Sequence, residues 1–247
     1  MPQTALIRLQ EQTRQLSAFT GKPPPSGGGA AALPLHAALH PAPPPLRRAI
    51  LPSTHSDGTG TDMTDIAELR VDLAATLRWA ARLGLHEGIC NHFSVAVDEK
   101  GERFLVNPLG IHWAEMTASD LVLADAAGNV LEAKPGPDGP LAVEATAFFI
   151  HSRIHLSNPA ARCVLHTHMP YALSLCLVEG GRLEMVEQNA LRFHDRIAYE
   201  DEYGGLALDN SEGDRLAAAL GNRSVAFLAA HGVIVTGPTI TQAFDDL

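Results

Sequence analysis

The stretch Ala161-Arg-Cys-Val-Leu-His-Thr-His-Met-Pro170 decides how the rest of the chain is read. Arg162 to Leu165 is an apolar run that predicts a strand. His166 and His168, one residue apart at its end, then project from the same face, because strand side chains repeat every second residue. Two imidazoles placed that way can grip a divalent metal, although a core histidine followed by a turn histidine has the same spacing. Ala229-Ala-His231-Gly-Val-Ile-Val235 adds a third histidine at the end of a second apolar run. Three neutral imidazoles leave a fourth position open, as in catalytic rather than structural metal sites.

The surrounding composition narrows the class. At 247 residues and 46% hydrophobic content the chain has room for one sizeable domain or two small ones. A net charge of −10 argues against nucleic acid or an anionic membrane surface as a partner. No apolar run approaches the ~20 residues of a membrane helix. Cys90, Cys163 and Cys176 form no ligand-spaced pair and read as reduced, small core residues, which places the protein in the cytoplasm. The 12 histidines exceed what packing usually demands and gather near the candidate site segments.

Residues 1–62 look unlike the rest. Lys22-Pro-Pro-Pro-Ser-Gly-Gly-Gly-Ala-Ala-Ala32 and His40-Pro-Ala-Pro-Pro-Pro-Leu-Arg-Arg48 lack periodicity and cannot bury enough apolar surface to offset ordering entropy. Arg8 and Arg14, opposed by Glu11, faintly resemble a transit peptide. A misassigned start, with the folded protein beginning at Met63, is the preferred reading, because Met63 directly precedes a helix start. That helix is predicted from about Thr64 to Leu83, with Asp65 and Glu68 as a capping box and Gly84 as its stop.

Two hairpins follow: Phe93–Val97 with Arg103–Val106, and Asp120–Ala124 with Asn129–Glu132. A linker rich in Gly and Pro (134–140) leads to a helix over Val143–Leu156. Then come the histidine strand, a helix over Pro170–Leu177, a helix over Ser211–Leu220, a strand over Ser224–Ala230, and a helix beginning at Thr239. The order predicts a three-layer α/β/α sandwich around a central, mostly antiparallel sheet, built from residues 63–247.

Three segments together resemble the class II aldolase and adducin family: Gly88-Ile-Cys-Asn-His-Phe-Ser-Val95, the run from Asn107-Pro-Leu-Gly-Ile-His-Trp113 to Val122, and the His-Thr-His stretch with its later His-Gly. The resemblance implies that His166, His168 and His231 bind a divalent metal, zinc first, with Fe2+ or Mn2+ as alternatives. Asn91-His92, His112-Trp113, His151-Ser-Arg-Ile-His155 and Tyr203-Gly-Gly205 make the chain most similar to the adducin-like branch. Sugar-phosphate aldolases of the family carry a Ser-Ser-Glu whose glutamate is both ligand and acid/base. Here Ala145, Thr146 and Ala147 fall at those positions, and Leu109 falls where a phosphate-binding threonine is placed.

The residues suggest substitutes. Glu144 lies one helical turn before Ala147 and is the candidate acid/base; a first-turn glutamate favoured by the helix dipole is the plainer alternative. His151 and His155 share a helical face and read as core or ligand-supporting histidines. His92 and Asn91 are candidate substrate-binding residues, with His92 suited to a carboxylate. Tyr203 is a third candidate, from a segment that also holds Glu187, Gln188, His194 and Tyr199.

The reading is a metal-dependent aldolase-type lyase acting on a small hydroxy- or keto-carbonyl substrate through a metal-stabilised enolate. An adducin-like scaffold without turnover is the alternative, as is a decarboxylase, epimerase or iron oxygenase on the same fold. The resemblance also implies a homo-oligomer, a tetramer in the full-length form. Assembly is expected to be weaker here, because the closing helix stops at Leu247 where family members continue.

Overall fold

The computed structural model describes residues 66–247, so the expectations for residues 1–62 and for the first turn at Thr64 and Asp65 lie outside the described residues. Helix α1 (Ile66–Leu83) buries Leu69, Leu73, Leu77 and Ala80 at intervals of three and four, one stripe of an amphipathic helix. Leu73 and Leu77 are completely buried, each contributing about 1.5–3 kcal/mol. Arg70 fixes the helix to the following loop by donating from Nη1 to the Leu121 carbonyl at 2.5 Å.

Strands β1 (His92–Ala96) and β2 (Arg103–Val106) form the first hairpin. Asp98 ties its turn by accepting from the amides of Lys100, Glu102 and Arg103. Strands β3 (Val122–Asp125) and β4 (Val130–Glu132) form the second. The predicted linker is itself folded back, as a small hairpin of β5 (Pro135–Gly136) and β6 (Gly139–Pro140). Then come α2 (Ala145–Ser157), β7 (Cys163–Thr167), α3 (Pro170–Cys176), β8 (Ile197–Glu200), α4 (Asn210–Leu220), β9 (Val225–Leu228), β10 (Gly232–Gly237) and α5 (Ile240–Asp246).

The main sheet has the order β4-β3-β2-β1-β7-β10-β9-β8, antiparallel throughout except for the β8–β9 pair. The histidine strand β7 is therefore central, with β1 and β10 on either side. Cys163 and Leu165 join a core with α1, α3 and α5, whereas Val164 belongs to the core beneath α2 and α4. This is the three-layer α/β/α arrangement expected from the sequence. Helices α2 and α4 approach closely at Gly213, where a Cβ would lie 2.1 Å from the Phe149 carbonyl oxygen. Among the described residues no helix is long and apolar enough to cross a membrane.

Two strands, β8 and β10, were not separate elements in the sequence reading. Ala229 and Ala230 continue the apolar run of β9, yet Ala230 takes φ 55° and turns the chain, without the glycine or asparagine that would announce it. A second correction concerns Cys90, which is exposed in the loop between α1 and β1, while Cys163 and Cys176 are buried.

Candidate metal centre

His166 is the fourth residue of β7 and is completely buried. Its Nδ1 lies 3.1 Å from the Val233 carbonyl on β10. A carbonyl only accepts, so Nδ1 carries the proton and Nε2 keeps its lone pair. His168 follows the end of the strand, and its Nδ1 donates to Glu87 Oε2 at 2.7 Å, so in the neutral ring Nε2 carries the lone pair. The two Nε2 atoms are 3.1 Å apart. Between two neutral rings with their protons on Nδ1, lone pairs that close repel each other unless a cation is held between them.

His231 lies in the β9–β10 turn, its ring centroid 4.7 Å from that of His166 and 5.3 Å from that of His168. One potential ligand atom from each of the three histidines falls within 4.8 Å of the others. Gly232 is needed beside them: a Cβ there would come within 2.6 Å of the His168 ring and 2.7 Å of the Thr167 carbonyl. Burial pushes His166 well below the usual imidazole range, and neighbouring His231 adds to the shift. Burial also lowers His231 to about 4, with His168 acting in the same direction. Both rings are neutral at physiological pH, as metal ligation requires.

Asn91 ties the loop before β1 to the end of β7. Its Oδ1 accepts from the Glu87 amide at 2.7 Å and from the His168 amide at 3.2 Å, while its Nδ2 is buried with no partner among the described residues. His92 pairs across the sheet with His166 and stacks on its ring at 4.7 Å. Burial, with His231 and His168 nearby, holds it down to about 3. Behind it, His92 Nδ1 meets His151 Nε2 at 2.8 Å, and His151 and His155 converge on Ser94 from α2.

Glu144 is the N-cap of α2. Its carboxylate accepts from the Thr146 hydroxyl and, at 2.9 Å, from the Ala147 amide. Tyr203 is exposed, and among the described residues no hydrogen bond or ring contact joins it to the three histidines. His194 and Tyr199 line a separate cavity of about 360 Å³ with Arg182, Met185, Phe193 and Arg223. The structure thus brings together His166, His168, His231, His92 and Asn91. It adds Glu87 and Ser94, which sequence reasoning passed over. The resemblance segment containing Asn91 begins at Gly88, one residue after Glu87, and nothing in the spacing links a residue of that loop to His168.

The family model for the class II aldolase and adducin N-terminal domain matches residues 71–247. The chain belongs to this family. An adducin-related protein of Schizosaccharomyces pombe is 32% identical over 178 residues, covering 71% of this chain and 53% of that protein. The chain spans about half to two thirds of the length of the first curated relatives it matches, 53% to 66%. Among solved structures, an aldolase II superfamily protein from Pseudomonas syringae is 36% identical, with a TM-score of 0.67, covering 74% of this chain and 71% of that one. An L-fuculose 1-phosphate aldolase from Glaciozyma antarctica is 28% identical with a TM-score of 0.65, covering 77% and 72%. At the position the resemblance assigns to the aldolase glutamate, this member of the class II aldolase and adducin family has Ala147, completely buried in α2.

Proposed function

We propose that this class II aldolase and adducin family member is a divalent-metal-dependent carbon–carbon lyase acting on a small hydroxy- or keto-carbonyl compound. One observation carries the reading: His166 and His168 face each other with Nε2 atoms 3.1 Å apart, and His231 stands beside them. The residues fit an ion. Each donor is an imidazole, two have their tautomers set by Val233 and Glu87, and three ligands leave an open position for substrate. Zinc is the first choice, with Fe2+ or Mn2+ alternatives, since imidazole suits each of them. When bound, the ion would polarise a carbonyl or hydroxyl oxygen, the Lewis-acid help that bond cleavage next to a carbonyl needs.

The remaining work falls to the chain's own groups. Asn91 is our substrate-oxygen ligand, through Nδ2, a buried donor with no partner among the described residues that would otherwise cost about 1–3 kcal/mol. Glu144 is our acid/base, turning from its cap position when substrate is present, and Tyr203 a substrate contact. We also assign a homo-oligomer, a tetramer, in the cytoplasm. The apolar side chains of Tyr171, Leu177, Val178 and Val186, all well exposed, support an assembled surface. Light scattering reads that state.

Metal analysis tests the main reading. About one ion per chain is expected, lost in His166→Ala; equal content in both proteins would overturn it. On ketose phosphates and 3-keto acids, Glu144→Asn retains a capping side chain and should lower turnover about 10²-fold or more. Unchanged turnover would leave Glu144 a cap alone. Ala147 favours a second reading, an adducin-like scaffold without turnover. Metal-dependent turnover of any member of the panel removes it.

A further inference from the structure

The buried groups behind His92 admit a single arrangement of protons when the rings are neutral. At the far end His155 Nδ1 lies 3.0 Å from the Ala161 carbonyl, which only accepts, so the proton is on Nδ1. His155 Nε2 is then an acceptor, and among the described residues the only hydrogen available to it is that of the Ser94 hydroxyl at 2.7 Å. With its hydrogen committed, Ser94 Oγ accepts from His151 Nδ1 at 2.5 Å. His151 Nε2 is consequently an acceptor, served by His92 Nδ1 at 2.8 Å. Ser94, His151, His155 and His92 are each at most 3% exposed, so water does not compete along the chain. Each step follows from the one before it, and the Ala161 carbonyl sets them all.

The end of the chain is His92 Nε2, on the far side of the ring from His151. It retains a lone pair and has no hydrogen-bond partner among the described residues, while its ring lies against the metal-centre histidine His166. We infer that His155, Ser94 and His151 form a positioning relay that fixes His92 as the Nδ1–H tautomer, so that its Nε2 accepts a hydrogen bond from a substrate hydroxyl. The inference rests on the proposed metal centre for where the substrate binds, and it names the ligand class: a hydroxy-carbonyl compound with its hydroxyl intact. A carboxylate, the partner expected for His92 from sequence, would set its own lone pairs against that nitrogen. Asn91 Nδ2, next to His92 in sequence, is a buried donor with no partner among the described residues.

Nitrogen-15 NMR of histidine-labelled, metal-free full-length chain at pH 7.5 reads the tautomers directly. His92, His151 and His155 should all be protonated on Nδ1 and unprotonated on Nε2. In Ser94→Ala, His151 loses its acceptor and His92 should become a mixture of both tautomers. An Nε2–H tautomer at His92 in the wild-type chain, or a His92 tautomer indifferent to Ser94→Ala, overturns the relay. The ligand class is tested on zinc-loaded protein with hydroxyacetone and acetone, which differ only in the hydroxyl, followed by NMR titration. Wild type should prefer hydroxyacetone by about tenfold, the worth of one hydrogen bond, and Ser94→Ala should reduce that preference at equal zinc content. Equal binding of the two ketones overturns the assigned ligand class. Failure of the chain to hold zinc would instead overturn the metal reading and the ligand class with it, while the metal-free spectrum still decides the relay.

Discussion

The two faces of β7 are built by opposite rules. On one face Cys163 and Leu165 enter a core shared with α1, α3 and α5, in which Trp113 and Met116 are also completely buried. On the other face Val164 begins in the same way, but His166, two residues later, meets His92, with Ser94, His151 and His155 behind. Both faces exclude water. The first gains from apolar burial alone and tolerates reshaping if volume is kept. The second is a polar chain in which each group depends on its neighbour, so any unpaired member carries the full cost of desolvation. The sheet holds a reactive cluster at its centre with the groups behind it paired one by one and, among the described residues, His92 Nε2 alone left open at the end of that chain.

Acid separates the two faces most strongly. His92 and His155 are held down to about 3 and about 4 by burial, His231 to about 4, and His151 and His166 lie well below the usual 6.5. Each is neutral when folded but protonates near 6.5 when unfolded. Below that pH the unfolded chain therefore binds more protons, and stability, complete above 6.5, falls as pH drops toward 4. Five such groups should together cost several kcal/mol at pH 5.5, on the order of 1 kcal/mol each. Denaturant unfolding of metal-free protein at pH 7.5 and 5.5 checks this, and midpoints that agree would refute it. The apolar face supplies the contrast. Leu165→Ala should lower stability by about 2–5 kcal/mol at both pH values, leaving the pH dependence and the metal content as in wild type.

The same difference explains what was legible in the sequence. Leu69, Leu73 and Leu77 announce α1 by period, and the Asp98–Gly101 turn announces the first hairpin, because both are local signals. The sandwich followed from the order of such elements. His166 and His168 stood out for the same reason, being two residues apart on one strand. The relay did not, because it joins His92 and Ser94 to His151 and His155 across 57 to 61 positions of sequence. Only the pairing of β1 with β7 and the packing of α2 bring them together. Spacing placed His151 and His155 on one helical face and gave no means of showing that a serine lay between them. Glu144 shows the converse: the sequence placed it on the helix one turn before Ala147, but the helix starts at Ala145, and Glu144 is its extended N-cap, with the carboxylate turned back onto Thr146 and Ala147.

Glu87 provides the finest test of the comparison, because it orients a buried cluster from the outside. Its side chain is 63% exposed, so by the rules of the apolar face it should matter little. By those of the polar face it should matter, since its hydrogen bond decides which nitrogen of His168 points at His166. Without that acceptor His168 can carry its proton on Nε2, and the cluster loses a ligand in part of the population. Glu87→Ala should therefore change unfolding free energy by no more than about 0.5 kcal/mol while weakening zinc binding about 10- to 100-fold. Glu87→Gln keeps an acceptor oxygen for Nδ1 and should fall between the variant and wild type. Competition against a chelating dye measures both. If Glu87→Ala binds zinc as tightly as wild type, the strand alone orients His168, and control of the polar face ends at its buried boundary. If the affinity falls without loss of stability, the control extends through His168 to an exposed carboxylate that no accounting of buried area would have singled out.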